Sequence, residues 1–470
     1  MLRPMAEQTT AAQMLAAGLE VAREEIPVRF AGPGAGEGDL SWGQRELWRL
    51  MCRRRTWMPI GAHQPLPAGT TLDDVVSQLR FVMSRYPTMR TRLRVDGDGA
   101  RQFVASAGQT TLEVVDAADD ADPNRVAVLV WMRNADRDYD FASDWPVRMS
   151  VVRHRGKLTH RVWVICHLAT DGGGARVLLN ELDDRDNCRG ASPMPPLEQA
   201  RWQRSPAGQR RSQAALRYWE QVLRQVSPHR FPARSQRPSP RYWQGQLTAP
   251  AMRLAVRRIA ARTGLETSAV LLTLFAVSLA RITGIDPVVT QVTVGNRFHP
   301  GLARTVSPIM QSGLLVLDAS DATIDEAVSR TRRHAMAAYK NAYCDPDRRE
   351  ELIAQVTAER GDGLDIDCTF NDWWPPAETA EPPTVEQIEQ VRHDGGFQWH
   401  YKQDEVRFSH LFVNVDNVPG TLQMTVTTDI HCISPDDVEA CLRGMTDIAV
   451  AAALDPATRT GMPGGRPGAA

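Results

Sequence analysis

The segment Cys166–Gly172 carries the residues whose types and spacing could do chemistry. A β-rich run ends at His167, and four residues later Asp171 and Gly172 open a glycine-rich turn. An imidazole that is uncharged near neutral pH can take a proton from an attacking amine or hydroxyl group. Asp171 can fix the turn through hydrogen bonds or an ion pair, and glycine lets another group approach closely.

Two other interpretations of this segment stay open at the level of sequence. Taken alone, the HxxxDG spacing is also compatible with a structural histidine in a β-turn. Cys166 beside a histidine suggests a thiol nucleophile, but neighbouring strand residues point to opposite faces, so we do not expect a Cys–His pair.

No metal site is predicted, because metal-ligand spacing is missing around the other histidines, which include His299, His393, His400, His410 and His431.

Composition excludes several classes of protein. The 470 residues carry 55 basic and 56 acidic side chains, so binding to nucleic acid through bulk charge is excluded. The chain is 42% hydrophobic and 24% charged, which excludes wholesale disorder. The seven cysteines form no CxxC pair, and no signal peptide or membrane span is recognised, which predicts reduced thiols and a cytoplasmic location.

The elements that must position the segment follow from hydrophobic periodicity. Residues 147–154 and 160–168 are β-rich and predicted to be neighbours in a sheet, and a helix is predicted after Asp171. Residues 31–40 and 185–215 are interpreted as linkers. Further helices are predicted at 6–24, 71–86, 125–137, 251–263, 266–283, 323–340 and 435–453. Strands and helices mix in both halves, which predicts an α/β (α+β) protein of two lobes.

The Cys166–Gly172 segment resembles the HHxxxDG motif of the condensation domains of nonribosomal peptide synthetases. Other segments resemble motifs of the same family and follow the family order. They are Ser41–Leu50 (SxAQxRLWxL), Arg85–Thr91 (RHxxLRT), Tyr218–Trp219 (YW), Val294–Arg297 (a G(N)R strand) and Phe370–Asn371 (a channel-lining strand). The resemblance covers about residues 39–455.

The resemblance implies a fold of two chloramphenicol acetyltransferase-like lobes in a V with a central channel. It also implies a division of the chain into an N-terminal extension, two lobes, a crossover linker and a disordered tail. The boundaries that we expect are 1–38 for the extension, 39–185 for the N-terminal lobe, 186–215 for the linker, 216–458 for the C-terminal lobe and 459–470 for the tail.

The activity implied is that of a stand-alone condensation enzyme in the biosynthesis of nonribosomal peptide-type natural products such as antibiotics. The donor would be an acyl or aminoacyl thioester on the phosphopantetheine arm of an acyl- or peptidyl-carrier protein acting in trans. The acceptor would be a small-molecule or carrier-bound amine, and the product an amide or, as a second choice, an ester. Neither a permanently bound cofactor nor a metal is expected, and neither nucleic acid nor a membrane is expected as a partner. The chain is expected to be a monomer.

The resemblance also implies roles for individual residues. His167 is expected to be the catalytic base or positioning residue, and Asp171 a structural residue whose ion-pair partner is Arg297 from the second-lobe strand. Gly172 is expected to leave room for the reactants and to offer its N–H to the developing oxyanion. Asn371 is expected to hydrogen-bond the intermediate.

The departures from the family pattern keep alternatives open. Cys166 stands where the family has its first histidine, and residues 306–315 match the GxFVNT segment only loosely. One alternative is a catalytically inactive condensation-like domain that recruits a carrier or tailoring enzyme. Another is an ester-forming acyltransferase that uses coenzyme A or a polyketide carrier. The Arg-rich stretch 201–241 could contact an acidic carrier protein or be a solvated linker.

Overall fold

The computed structural model describes residues 23–97, 99–184, 194–373, 381–405 and 408–462. These residues form two compact units. Unit 1 comprises residues up to 211 together with 295–311, and unit 2 comprises 212–294 and the residues from 312 onward. The predicted helix over residues 6–24 lies outside the described residues except for its last two positions, which begin a strand.

Unit 1 is built on a five-stranded sheet of order β1-β6-β7-β8-β3 and a three-stranded sheet of order β2-β5-β4. Its strands are β1 (Arg23–Ala31), β2 (Gly36–Asp39), β3 (Pro59–Pro65), β4 (Thr91–Asp96), β5 (Gly99–Val104), β6 (Ala107–Ala117), β7 (Val147–His154) and β8 (Lys157–Cys166). Its helices are α1 (Trp42–Arg54), α2 (Leu72–Arg85), α3 (Pro123–Asp136), α4 (Gly172–Asp183) and α5 (Pro196–Arg204). A further helix, α6 (Pro206–Gln225), begins in unit 1 and continues into unit 2.

Strand β8 leads directly to the candidate site, and it is buried on both faces. It pairs with β7 and β3, both antiparallel, so the predicted neighbours 147–154 and 160–168 are confirmed. Trp163 and Ile165 pack into the core beneath α2 and α4, whereas Val164 and Cys166 belong to a separate cluster. This alternation follows from the two-residue period of a strand. It decides which way the side chain of Cys166 points.

Unit 2 contains a seven-stranded sheet of order β11-β10-β12-β14-β15-β9-β13. Its strands are β9 (Tyr242–Thr248), β10 (Val288–Val294), β11 (Gln311–Leu317), β12 (Cys368–Asp372), β13 (Gly396–Gln403), β14 (Leu411–Val418) and β15 (Thr421–Asp429). Its helices are α7 (Pro250–Thr263), α8 (Thr267–Thr283), α9 (Ile324–Lys340), α10 (Pro346–Arg360), α11 (Val385–Gln390) and α12 (Pro435–Leu454).

Helix α8 is the central helix of unit 2. Every residue from 269 to 280 is buried, as expected for a helix that is apolar all round. Within the part of the chain that the structure describes, no single helix is both long and apolar enough to cross a membrane. Helices α7 and α8 meet those criteria only when they are taken together, and they are bent by 114° relative to each other.

Several expectations about connecting segments are corrected by the structure. The glycine-rich stretch 31–40 contains β2, which pairs with β5 and is flanked by ion pairs from Arg101. The segment 185–215 contains α5 and the start of α6, although its residues 185–193 lie outside the described chain. Helix α5 is anchored because Gln203 accepts a hydrogen bond from the backbone N–H of Trp42 (2.8 Å). Strands β3, β6, β9 and β13 and helices α10 and α11 were not predicted.

The start of the expected disordered tail is ordered. The guanidinium of Arg459 makes two hydrogen bonds of 2.8 Å to the carboxylate of Asp321, and Thr460 is fully buried with its N–H bonded to Ala322. Residues 463–470 lie outside the described chain.

The core of unit 2 gives a stability prediction. The ring of Phe275 on α8 is fully buried and lies 4.9 Å from that of Phe370, centroid to centroid. Phe275→Ala is expected to lower the free energy of unfolding by about 3–5 kcal/mol, because it removes buried apolar area and leaves a cavity. Chemical denaturation measures this loss. The matched change Phe298→Ala, at a ring that is 59% exposed, should leave the denaturation midpoint nearly unchanged. Equal effects of the two variants would contradict the assignment.

Candidate active site

His167 lies directly after β8 and is buried, with 6% of its surface exposed. Its Nδ1 atom lies 2.9 Å from the backbone carbonyl oxygen of Thr170. Because a carbonyl oxygen only accepts hydrogen bonds, Nδ1 must carry the proton in this contact. In the neutral ring, Nε2 therefore has the free lone pair. The three-residue turn that follows β8 thus selects the tautomer of its own histidine.

Burial lowers the pKa of His167 below its usual value, and this effect outweighs the opposing attraction of the Asp171 carboxylate. The charged imidazolium is disfavoured because it would be removed from water. The ring is consequently uncharged at neutral pH. An uncharged ring with Nε2 unprotonated can accept a proton or a hydrogen bond from an attacking group.

The side chain of Asp171 is the point at which several backbone segments meet. One carboxylate oxygen, Oδ1, caps α4 by accepting the N–H of Gly174 (2.7 Å). The other, Oδ2, accepts the backbone N–H groups of Ile309 (3.0 Å) and Met310 (3.1 Å). Arg297 adds an ion pair, with its Nη2 2.5 Å from Oδ1 and its Nη1 3.1 Å from Oδ2. The carboxylate is 1% exposed, so these donors replace its water shell.

Arg297 reaches Asp171 from a segment that is distant in sequence. The residue was expected on a second-lobe strand, but β10 ends at Val294 and residues 295–311 group with unit 1. Arg297 follows Asn296, whose backbone is left-handed (φ 55°) and whose Nδ2 donates to the carbonyl of Ile309 (2.8 Å). Asparagine tolerates this conformation better than most residues. The asparagine therefore sets the turn from which Arg297 extends.

Two of the three glycines that open α4 allow close approach of other groups. A Cβ atom at Gly173 would lie 2.5 Å from Nη1 of Arg297, and one at Gly174 would clash with the carbonyl oxygen of Val306. Gly172 is the first residue of α4, where backbone N–H groups have no partner within the helix. The N-terminal end of a helix also carries partial positive charge. The N–H of Gly172 is thus of the kind that can stabilise an oxyanion.

Cys166 is separated from His167 by the alternation of β8. Its Sγ lies 3.5 Å from the carbonyl oxygen of Trp57, and the side chain is fully buried in the cluster that contains Leu93 and Leu168. Burial raises the pKa of this thiol to about 12. A thiol that stays protonated and faces an apolar cluster is a poor nucleophile. The geometry therefore disfavours a Cys–His dyad.

Asn371 lies on β12 in unit 2 and is buried. Its Nδ2 donates to Oδ1 of Asn414 on the neighbouring parallel strand (2.6 Å), and Asn414 in turn donates to Asp416. The expected hydrogen bond from Asn371 to a reaction intermediate stays a prediction.

Sequence reasoning missed four contributors to the site. Thr170 supplies the carbonyl that holds His167, and its hydroxyl donates to the carbonyl of Val306 (2.7 Å). Asn296 shapes the turn before Arg297, and Ile309 and Met310 act through backbone N–H groups. Asn296 lies within the quoted G(N)R motif, which was a usable signal. Backbone N–H donors cannot be recognised from the types of the side chains, because every residue except proline carries one.

Asp171 carries a stability prediction. Asp171→Asn is expected to lower the free energy of unfolding by about 3–5 kcal/mol, because it leaves the largely buried guanidinium of Arg297 without its counter-ion. Urea denaturation followed by circular dichroism measures the change. The matched variant Asp321→Asn breaks the exposed pair with Arg459 and should leave the urea midpoint almost unmoved. A loss of stability no greater than that of the control would show that the Asp171 cluster is dispensable.

Comparison with known sequences supports the predicted assignment of the chain to the condensation domain family. A model of the condensation domain family matches residues 68–383. Beauvericin nonribosomal cyclodepsipeptide synthetase of Beauveria bassiana is 23% identical over 330 residues, which are 65% of this chain and 10% of that protein. Phosphinothricin tripeptide synthetase PhsC of Streptomyces viridochromogenes is 26% identical over 284 residues, 57% of this chain and 26% of that protein. This chain therefore spans about a tenth to a quarter of the length of these two relatives.

Comparison with solved structures supports the fold. The condensation domain that mediates chain release from the enacyloxin polyketide synthase matches with a TM-score of 0.68 and 18% identity, over 90% of this chain and 84% of that chain. SgcC5 protein from Streptomyces globisporus matches with a TM-score of 0.67 and 18% identity, over 89% of this chain and 99% of that chain. The predicted α/β class is confirmed. Since the matched residues 68–383 make up more than half of the chain, the predicted family is confirmed as well, and the chain belongs to the condensation domain family of nonribosomal peptide synthesis.

Proposed function

We propose that this chain catalyses the formation of an amide bond between a carrier-bound acyl or aminoacyl thioester and an amine acceptor. The observation that carries the proposal is the state of His167, an uncharged, buried imidazole whose Nδ1–H is fixed on Thr170. The lone pair of Nε2 is the group that the reaction needs, because the attacking amine must lose a proton as it becomes an amide.

In the proposed reaction the amine nitrogen attacks the thioester carbonyl carbon and a new C–N bond forms. Nε2 of His167 accepts the proton that the nitrogen loses. The tetrahedral intermediate then collapses, the C–S bond breaks, and the proton passes to the departing sulfur, so that the free phosphopantetheine thiol is released. No covalent bond to the enzyme is formed. Holding both reactants in place supplies much of the remaining rate enhancement.

Gly172 is proposed to stabilise the negative charge on the carbonyl oxygen of the intermediate. Its N–H lies in the first turn of α4, where the helix end is partially positive. Asp171 and Arg297 are proposed to be positioning residues, since their contacts hold the start of α4 and the 295–311 segment and do not involve the imidazole nitrogens. Cys166 is proposed to support the packing behind the turn.

The donor is proposed to be carried by an acyl- or peptidyl-carrier protein acting in trans. The support for a carrier is membership of the family, whose relatives here are peptide synthetases. The phosphopantetheine arm then belongs to the substrate, and we propose no permanently bound cofactor for the reaction.

Removal of the His167 imidazole tests the proposal. With a thioester-loaded carrier and a panel of amines, His167→Ala is expected to lower the rate of amide formation by about 10²–10⁴-fold, the usual contribution of a positioned general base. Product is measured by mass spectrometry. Cys166→Ala is the matched control at the neighbouring buried position and should retain most of the activity. A wild-type protein that forms no amide with any loaded carrier would refute the proposal, as would full activity in His167→Ala.

The pH dependence of the rate gives an independent prediction. Since burial lowers the pKa of His167, the imidazole stays uncharged below the ordinary histidine value near 6.5. The rate is therefore expected to hold as the pH falls through 6.5 and to decline only at lower pH, where the ring gains a proton. Rates are compared at a constant concentration of neutral amine, so that titration of the acceptor does not enter. A decline centred at or above pH 6.5 would contradict the assignment.

A further inference from the structure

A second group of chemically distinct side chains lies in unit 2, and we call it the His410 cluster. It consists of His410, Asp429 and Cys432, which offer one nitrogen, one oxygen and one sulfur ligand atom. These three atoms all lie within 4.8 Å of one another. The cluster was not predicted from the sequence, because its residues are separated along the chain and lack the short spacings of common metal motifs.

The backbone holds the three residues of the His410 cluster in a fixed arrangement. The N–H of Asp429 donates to the carbonyl of His410 (3.1 Å), and the N–H of Cys432 donates to the carbonyl of Asp429 (2.9 Å). The hydroxyl of Thr428 also donates to the carbonyl of His410 (3.0 Å). The first bond extends the pairing of β14 with β15 by one residue, and the second closes the turn that follows β15. Main-chain hydrogen bonds therefore hold the three residues that carry the ligand atoms close together.

A fourth residue orients the imidazole. Nδ1 of His410 lies 3.0 and 3.1 Å from the two carboxylate oxygens of Asp365, so this nitrogen is committed to that carboxylate. Nε2 is then the ring nitrogen left for a ligand. Histidines that bind metals commonly donate their second N–H to a carboxylate in this way, which fixes the ring and strengthens the ligand nitrogen.

Arg241 and the backbone hold the carboxylate of Asp429 in place. Arg241 donates to Asp429 through Nε (2.9 Å to Oδ1) and Nη2 (2.5 Å to Oδ2), and the N–H of His431 donates to Oδ1 (3.0 Å). Nε of Arg241 also lies 3.0 Å from Oδ2, so three donor groups make four hydrogen bonds to this carboxylate and fix its orientation.

We propose that the His410 cluster binds a divalent ion of the zinc class through Nε2 of His410, a carboxylate oxygen of Asp429 and Sγ of Cys432, with water as the fourth ligand. Zinc takes such mixed nitrogen, oxygen and sulfur sets at about 2.0–2.3 Å, which places the ligand atoms roughly 3.5 Å apart. The side chains need to close by little more than about 1 Å from their present spacing. The side chain of His410 is 19% exposed, so an ion can reach the cluster from solvent.

The ion would link the segment before β14 to the end of β15 and the turn between β15 and α12. It would stabilise unit 2 because it binds the folded arrangement and not the unfolded chain. The proposal does not depend on the amide-forming activity, and its test has no catalytic readout.

The test uses the full chain, stripped with a chelator and titrated with Zn²⁺ and separately with Co²⁺. One equivalent of Zn²⁺ by elemental analysis, a rise in melting temperature and a near-ultraviolet thiolate-to-cobalt charge-transfer band are expected. Cys432→Ser should abolish the band and the stabilisation. Asp365→Asn, which retains all three ligands, should weaken Zn²⁺ binding about 10–100-fold.

Cys52→Ser is the matched control, because Cys52 is an exposed thiol outside the cluster, and it should change neither the band nor the affinity. Substoichiometric Zn²⁺ in the wild-type protein would overturn the proposal without reference to any variant. A charge-transfer band that persists in Cys432→Ser would overturn it as well, because the thiolate ligand would then lie elsewhere. Circular dichroism establishes that each variant is folded before its metal content is compared.

Discussion

The arrangement of unit 1 around its histidine depends on one buried carboxylate. Asp171 is almost fully removed from water, and such a charge is stable only where donors replace the water. The donors here are a helix N-terminus, two backbone N–H groups and a guanidinium, and they come from three separate parts of the chain. Satisfying the carboxylate therefore fixes α4 and the 295–311 segment together. The turn between β8 and α4 is thereby held in place, and the carbonyl oxygen of Thr170 lies where it accepts a hydrogen bond from the imidazole.

Burial acts on two adjacent residues with opposite chemical consequences. Removal from water disfavours the charged form of each, so the pKa of His167 falls and that of Cys166 rises. Both side chains are therefore uncharged at neutral pH. An uncharged imidazole is a base, whereas an uncharged thiol is a weak nucleophile. The same physical effect thus favours a proton-accepting role at position 167 and disfavours covalent catalysis at position 166.

The parts of the fold that the sequence predicted are those whose signal is local. The helix after Asp171, the paired strands β7 and β8 and the apolar helix α8 all follow from periodicity, capping and turn residues. Helix α5 was interpreted as a linker because its Pro- and Arg-containing composition resembles that of a solvated connection. The contact that anchors it joins Gln203 to Trp42, which lies 161 residues away in sequence, so no local pattern reveals it. The placement of Arg297 failed for a related reason. A strand signal does not reveal that the chain leaves its sheet at Val294 and joins the other unit.

The difference between main-chain and side-chain contacts explains how the site forms although a family motif is poorly matched in sequence. Residues 306–315 match the family's GxFVNT segment only loosely, yet this segment supplies the N–H groups of Ile309 and Met310 to Asp171 and the carbonyl of Val306 to Thr170. Main-chain groups make these contacts, so the side chains there are free to vary. The constraint falls instead on the residue opposite, Gly174, where any Cβ would meet the carbonyl of Val306. A fold held by backbone contacts of this kind can persist at 18% identity.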